Sequence, residues 1–487
     1  MSGQAAELRY AVRLRVVWKY FGQLCLVLAA LTGVTMLVAV LFGDQQMGLR
    51  YALVICLLLG LGITLSRLPA PSSMQANEGM VLVALMFLFT PFVMSYPMMA
   101  SGMDFADALF EAISGVTTTG LSTRATLAGA PAVFLFARSW MQWYGGLGIV
   151  ILSLGLAMQP GLVAKGLAVT EAEAHDLVGG TRAHARRVLK VYAALTVIGI
   201  VGALLTGLGL FDAVLYTFSA VSTGGFAPYD ASLGVFAWPA QLWISLLCLA
   251  GAVSLAFYHR LYRRRHPMPG DLSQVRALLA AGLLVSLLLA ASMRTTTDLP
   301  WAAVLHHAPQ LAVSAQTTAG FASMPCAELS AGSKLILIFS MLVGGGVSST
   351  AGGFKLLRLL IAIGVFRFIL VRTCLPRHAV VEPRLEGRIL EGAEIREALL
   401  LILLFMAVVA LSWLVFVAMG YDPLDSLFEV VSATGTVGLS VGITSSALPS
   451  LLKGVLCIDM LMGRLEIIAW LVLLYPGTWF GRRMEVK

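Results

Sequence analysis

The sequence predicts an all-α integral membrane protein organised as internal repeats, and three observations carry that prediction. Hydrophobic residues fill 59% of 487 positions and charged residues only 12%, half the charged share of a soluble domain; mean hydropathy is +0.89. Apolar stretches at 24–42, 80–99, 191–210, 399–418 and the run ending at 465–475 suit the ~20 residues that cross a bilayer, suggesting about ten crossings. Finally, one short polar segment recurs four times in this apolar background.

Taken in chain order, residues 1–79 read as a polar tail and a two-helix hairpin, with helices at about 16–43 and 50–66 and no recurring segment. Four units follow, at 80–160, 187–260, 274–371 and 396–487, the last ending in a short tail. Their polar segments are FEAISGVTTTGLS (110–122), LYTFSAVSTGGF (215–226), QLAVSAQTTAGF (310–321) and FEVVSATGTVGLS (428–440). Aligned on Gly120, Gly225, Gly320 and Gly438, each has threonine two positions earlier (Thr118, Thr223, Thr318, Thr436) and serine six earlier (Ser114, Ser219, Ser314, Ser432). Thirteen earlier stand Asp107, Asp212, His307 and Asp425, and a large apolar residue always follows the glycine. Membrane-length apolar runs flank every copy. A further glycine recurs downstream, at Gly145, Gly251, Gly344 and Gly463, where a small residue inside the second long helix permits close packing or a bend. Each unit therefore reads as helix, pore half-helix with filter loop, helix, and the four as a pseudosymmetric bundle around a central pore.

The net charge of +8 is distributed asymmetrically. Basic residues gather in the N-terminal tail, in the polar loops near 160–190, 258–276 and 371–396, and after residue 481; the other side holds only Arg50, Arg124, Arg138, Arg294, Lys334 and Lys453. This positive-inside pattern puts both termini in the cytoplasm. No basic patch is interleaved with stacking aromatics, which argues against a nucleic-acid role. Six scattered cysteines without CxxC spacing indicate neither a disulfide framework nor a metal site. Five of the histidines lie in loops at spacings without metal-site logic; His306 and His307 read as caps of the third half-helix, and Arg124 as a partner of a nearby acid.

Non-helical backbone at membrane depth must be buried or line water. Four such segments in register are better explained by convergence on an axis than by four separate kinks. Their backbone carbonyls then replace the water shell of a dehydrated cation. Glycine admits the strained dihedrals this requires, threonine adds a hydroxyl, and a half-helix aiming its C-terminus at the pore contributes roughly half a negative charge.

The segments TTTGLS, STGGF, TTAGF and TGTVGLS resemble the four filters of the Trk/Ktr/HKT superfamily of potassium transporters. Thr436-Val437-Gly438 is also similar to the start of the potassium-channel TVGYG filter. The likeness covers nearly the whole chain. The N-terminal hairpin and the ending GRLEIIAWLVLLYPG (463–477) resemble the bacterial TrkH/TrkG branch specifically. What the resemblance implies is a potassium ion held at Thr117, Thr118, Gly120, Ser222, Thr223, Gly225, Thr317, Thr318, Gly320, Gly435, Thr436, Val437 and Gly438. In this superfamily glycine in all four filters goes with potassium and serine in the first with sodium, so Gly120 implies potassium. Leu121 and Val437 vary within the family and His307 replaces an aspartate, departures that bear on conductance and pH response.

Two features lie beyond the filter. The run GGGVSSTAGG (344–353) cannot sustain a rigid helix and lacks GxxxxGK[ST] spacing. It makes either a kinked packing helix or a flexible intramembrane gate, and resembles the family's gating loop: Gly344, Gly345, Gly346, Ser348, Ser349, Thr350, Gly352 and Gly353, with Lys355 as an anchor. Arg464 lies near mid-membrane, where a charge is expensive. It is either a barrier to passing cations, as the family's arginine in this motif suggests, or half of a salt bridge to Asp459 or another helix; Glu466, two positions on, faces elsewhere.

The resulting expectation is potassium uptake across a bacterial inner membrane, driven by membrane potential, alone or with proton or sodium symport, by a protein that is not an enzyme. The chain has no nucleotide site and needs no organic cofactor. Resemblance implies a homodimer in membrane lipid, with a TrkA-like ring of cytoplasmic nucleotide-binding regulators docked on the basic loops. The alternative is a potassium-binding subunit of an ATP-driven pump; a membrane-embedded enzyme would require a cluster of His, Asp or Ser at one face, which the sequence lacks.

Overall fold

The computed structural model describes residues 11–71, 74–157, 180–262, 269–376, 381–385 and 388–480. Most of the basic segments 160–179 and 263–268, and the tail after 480, lie outside the described residues.

Helices α1 (Leu14–Leu41) and α2 (Gln45–Ser66) form the N-terminal hairpin. Asp44 caps α2 by accepting the Met47 N–H at 3.0 Å. Gly22 and Gly62 let the two helices touch: a Cβ on Gly22 would press on the Ser66 nitrogen, and one on Gly62 on Leu26. Repeat 1 follows as α3 (Ala76–Met98), α4 (Phe105–Val116) and α5 (Ala132–Ala157). Repeat 2 is α6 (Gly180–Leu205), α7 (Leu210–Val221), α8 (Trp238–Ala252) and α9 (Leu255–Tyr262). Repeat 3 is α10 (Pro269–Thr296), α11 (Trp301–Gln316), α12 (Ala331–Val343) and α13 (Leu356–Thr373). A two-stranded hairpin, Arg384–Leu385 with Arg388–Ile389, precedes repeat 4. That repeat is α14 (Gly392–Ala418), α15 (Pro423–Thr434), α16 (Ser450–Arg464), α17 (Ile468–Leu474) and α18 (Pro476–Trp479).

Six helices among the described residues are long and apolar enough to cross a membrane, seven if the bent α8–α9 pair counts as one span. Among the described residues the uninterrupted spans are fewer than the ten crossings the hydropathy suggests, in part because the second helices of repeats 2, 3 and 4 break. Helix α8 ends one residue after Gly251 and turns by 90° into α9. Helix α12 ends before Gly344, which caps it at φ 69°. Helix α16 ends one residue after Gly463, and Glu466 and Ile467 take φ of 54° and 64° before α17. The recurring glycine is therefore a terminus in three repeats, and inside a helix only in α5.

The packing closes on itself. Besides contacting the half-helix of its own repeat, the second helix of each repeat packs against the half-helix of the next: α5 on α7, α8 on α11, α12 on α15, and α16 back on α4. Helix α17 completes the circuit against α3. The long first helices sit outside, with apolar side chains such as Leu205 (83% exposed) and Leu403 (65%) turned outward, as a lipid-facing surface requires. Helix α3 differs: two thirds of its span is buried, because α1, α2 and α17 cover it.

The downstream glycines set how close this circuit becomes. A Cβ on Gly145 would fall on the Val116 carbonyl oxygen, on Gly251 on that of Val221, and on Gly463 on that of Thr434. Each carbonyl belongs to the residue four before the aligned glycine. In repeat 3 that position is Gln316, whose Nε2 donates to the Gly344 carbonyl at 2.8 Å. Overpacking of this kind costs about 1–3 kcal/mol or more. Gly463→Val should therefore lower the melting temperature of the detergent-purified protein by several degrees, whereas Gly454→Val, on the same helix with open space around its Cβ, should leave it nearly unchanged.

Candidate functional site

Half-helices α4, α7 and α15 are 12 residues long and α11 is 16. Asp104 and Asp422 cap the first and last, accepting the N–H groups of Asp107 and Asp425. At the other end the chain turns back on itself in one pattern. The N–H of the residue before the aligned glycine (Thr119, Gly224, Ala319, Val437) donates to the carbonyl of the recurring serine, at 2.9, 2.7, 2.9 and 2.8 Å. In segments 1 and 4 the serine hydroxyl also accepts the N–H of Gly120 and Gly438, both at 3.0 Å. The serine is therefore the hinge that each half-helix uses to hold the loop beyond it.

The four threonines two before the glycine have φ of 56°, 51°, 54° and 49°, and the glycines 93°, 79°, 71° and 96°. A β-branched residue in the left-handed region is strained, and here it occurs four times in register among fully buried side chains. The four glycines then meet. A Cβ on Gly120 would overlap the Gly224 carbonyl oxygen, on Gly225 that of Ala319, on Gly320 that of Val437, and on Gly438 that of Thr119. This is a closed ring, taken in chain order, that brings together residues more than three hundred positions apart.

Charged groups brace the ring from behind. Glu111 and Glu429 both stand nine before their glycine and are fully buried. Glu429 accepts from Ser440 Oγ, the Val441 N–H at 2.9 Å and Thr444 Oγ1 at 2.7 Å. Glu111 accepts from Ser122 Oγ and the Thr123 N–H and pairs with Arg138 at 3.0 Å. In segment 2 the corresponding residue is Tyr216, whose hydroxyl donates to the Ser232 carbonyl at 2.7 Å. Asp107 and Asp425 pair with Lys453 and Lys334, each on the second helix of the preceding repeat. Asp212 accepts from the Tyr229 hydroxyl at 3.0 Å, and His307 Nδ1 lies 3.0 Å from Ser323 Oγ.

Arg138 is buried at 2% exposure, stacked 3.9 Å from the Phe226 ring. Two expectations are corrected here. Arg124 meets no acid within ion-pair distance among the described residues; it donates to the carbonyls of Thr126 and Ser101 and lies over Phe134, because Asp230 is taken by Thr126 and the Leu127 N–H. His306 and His307 do not cap α11, which begins at Trp301 after Pro300; His306 Nε2 instead lies 2.8 Å from Gln241 Oε1.

The glycine-rich run lies against segments 2, 3 and 4. Gly352 donates to Thr318 Oγ1 at 2.7 Å, and the Gly353 N–H to the Gly435 carbonyl at 3.1 Å. Thr350 Oγ1 donates to the carbonyls of Gly251 and Val221, at 2.9 and 3.0 Å. Ser349 Oγ donates to the Gly346 carbonyl, Ser348 has φ 58°, and Gly345 accepts the Leu356 N–H. Lys355 Nζ donates to the Ala351 carbonyl. Arg464, 3% exposed, donates to the Thr350 carbonyl at 2.7 Å and reaches the Gly145 carbonyl at 3.5 Å. No carboxylate lies within ion-pair distance of it among the described residues: Asp459 accepts from Ser412 Oγ, and Glu466 pairs with Arg358. Arg464 thus reaches from repeat 4 to repeat 1 and the loop of repeat 3, and its hydrogen-bond partners among the described residues are backbone carbonyls.

A family model described as TrkH, cation transport protein, matches residues 48–295 and 272–476. The chain belongs to this TrkH family. It is 30% identical to the Trk system potassium uptake protein TrkH of Halomonas elongata over 96% of this chain and 99% of that one. It is 27% identical to the Trk system potassium uptake protein TrkG of Escherichia coli over 83% and 86%. An uncharacterised cation transporter of Methanocaldococcus jannaschii is 30% identical over 85% of each chain. The crystal structure of the potassium transporter TrkH from Vibrio parahaemolyticus superposes with a TM-score of 0.86 at 25% identity, covering 96% of this chain and all of that one. The protein is thus an integral membrane member of the TrkH/TrkG branch of the Trk superfamily, a family of transporters and not of enzymes.

The structure brings Thr118, Gly120, Thr223, Gly225, Thr318, Gly320, Thr436, Val437 and Gly438 to the ring or its inner rim. Thr117, Ser222, Thr317 and Gly435 cap the half-helices, and in three of them the hydroxyl bonds back to its own helix. Sequence reasoning passed over Glu111 and Glu429, and counted Arg138, Lys334 and Lys453 only as charges on the less basic side. The shared offsets were available for the glutamates and for the lysines, which stand ten before Gly344 and Gly463; nothing in the sequence pairs Arg138 with Glu111. Breaking a buried pair from one side costs about 3–5 kcal/mol. Arg138→Met should therefore lower the melting temperature strongly, and Arg138→Met with Glu111→Gln should recover part of the loss.

Proposed function

We propose that the protein takes up potassium through a pore along the ring axis, with the four glycine segments as its selectivity filter. The closed glycine–carbonyl ring carries this reading. Left-handed threonine and glycine, alternating with a residue of ordinary φ, direct successive N–H groups to one side of the strand and carbonyls to the other. Two or more of those N–H groups in each segment are bound to the half-helix, which leaves carbonyls for a dehydrated cation. Potassium is the cargo because glycine fills all four ring positions and because the Halomonas, Escherichia and Vibrio relatives are named for potassium.

The loop 344–353 with Arg464 serves as the gate in this reading. A guanidinium repels a cation ~6 Å away by about 3 kcal/mol at an effective dielectric near 20, and its carbonyl partners leave that charge uncancelled. Opening then means moving the loop and Arg464 together, since Thr350 joins them. Both termini face the cytoplasm of a bacterial inner membrane, and a homodimer works with a TrkA-like ring that binds the nucleotide. Symport with protons or sodium belongs to the same proposal. The pump-subunit alternative draws no support from the relatives' names.

The test is uptake in a host lacking its own potassium systems, with the regulator supplied. The unaltered protein should restore growth on low potassium, and Gly120→Ser should lose preference for potassium over sodium. Arg464→Ala should raise potassium flux when the regulator is withheld. Absence of uptake, or a Gly120→Ser protein with unaltered preference, would remove the filter reading.

A further inference from the structure

Segment 2 differs from the others in its backbone. It alone places glycine before the ring glycine, as Gly224-Gly225, where the others have Thr119, Ala319 and Val437. A peptide between two glycines is the least restrained by its own chain, yet its carbonyl is one of the four in the ring. The structure supplies a restraint from outside. Gln142, on α5 of repeat 1 and fully buried, donates from Nε2 to the Gly224 carbonyl and accepts the Phe226 N–H at 3.1 Å. One carboxamide thus spans Gly225, and its orientation is fixed, because an N–H needs the amide oxygen and a carbonyl needs the amide nitrogen.

Space and neighbours agree with this role. A Cβ on Gly224 would overlap Gln142, whose carboxamide atoms are its three nearest neighbours; Gly224 is glycine because Gln142 is there. One turn earlier on α5, Arg138 stacks on Phe226 at 3.9 Å, and Ser139 Oγ accepts from Ser219 Oγ at 3.2 Å. The corresponding positions of the other second helices, three before Gly251, Gly344 and Gly463, hold Cys248, Met341 and Met460, which carry no amide. The clamp occurs at the one segment whose backbone requires it.

We infer that Gln142 is a positioning residue for ion selectivity, holding the Gly224 carbonyl in the ring so that segment 2 keeps the geometry that separates potassium from sodium. This rests on the potassium-pore reading. A carbonyl oxygen has two lone pairs, so the bond from Gln142 leaves one for the cation while preventing rotation of the Gly224–Gly225 peptide.

The experiment measures potassium and sodium uptake by the full chain with its regulator, and compares Gln142→Met, which keeps the volume and removes both bonds. Preference for potassium should fall about fivefold, the worth of one neutral hydrogen bond, with potassium KM rising and maximal rate retained. Gln142→Ala should fall likewise. Adding Gly224→Ala to it should restore part of the preference, since alanine fits the vacated space at the ordinary φ of residue 224 and stiffens the peptide. A Gln142→Met protein with normal thermal stability and unchanged preference would overturn the inference. If that variant does not fold, Gln142→Ala decides: wild-type preference overturns the inference, and a loss partly reversed by Gly224→Ala supports it. Gly120→Ser run in parallel separates the two claims. A response there without one at Gln142 removes the clamp alone, and no response at either removes the filter.

Discussion

Backbone N–H and C=O groups at membrane depth must find partners inside the protein, and in this chain the half-helices bind the N–H groups of four segments whose glycines press against one another's carbonyls. Gly120, Gly225, Gly320 and Gly438 each approach the carbonyl oxygen of the neighbouring segment so closely that no side chain fits between. The rest of the molecule follows from keeping that ring closed. The half-helices bind its N–H groups through one serine each, and the second helices come near enough to seat them only because Gly145, Gly251 and Gly463 leave room for a backbone carbonyl.

The ring is fourfold in its backbone and only twofold in its supports. Segments 1 and 4 use a buried glutamate and a serine two after the glycine; segment 2 uses a tyrosine hydroxyl and a carboxamide from another repeat. Lysines from the preceding repeat tie the half-helices of repeats 1 and 4, while repeat 3 is joined to repeat 2 through His306 and Gln241. One of the two glutamates is neutralised by Arg138 and the other is held by hydroxyl and N–H donors. The charge behind the ring is therefore uneven, although the backbone facing the axis is nearly regular.

Beneath the ring, repetition gives way to specialisation. Only repeat 3 carries a glycine-rich run after its second helix, and only repeat 4 an arginine after its recurring glycine. The two meet at Thr350, which also bonds to the backbone of repeat 2. Arg358 and Glu466 join α13 to the strained turn between α16 and α17. Motion of α13 or of that turn is thereby connected to the contact at Thr350.

The sequence by itself determined the membrane class, the repeats and the ring glycines, because each leaves a local or periodic mark: apolar runs of bilayer length, and one motif spaced at regular intervals. It also marked 344–353 and Arg464, since a glycine run and a lone charge are conspicuous in apolar surroundings. Only the tertiary structure decided the partners. Arg138 is one basic residue on the sparsely charged side until α5 folds against α4 and α7; Arg464 has acids nearby in sequence and carbonyls nearby in space; Gln142 is one polar residue in a helix until Gly224 is beneath it. Partner choice depends on which faces of distant helices meet. Side-chain identity at one position does not encode that, whereas a repeated backbone requirement for glycine does.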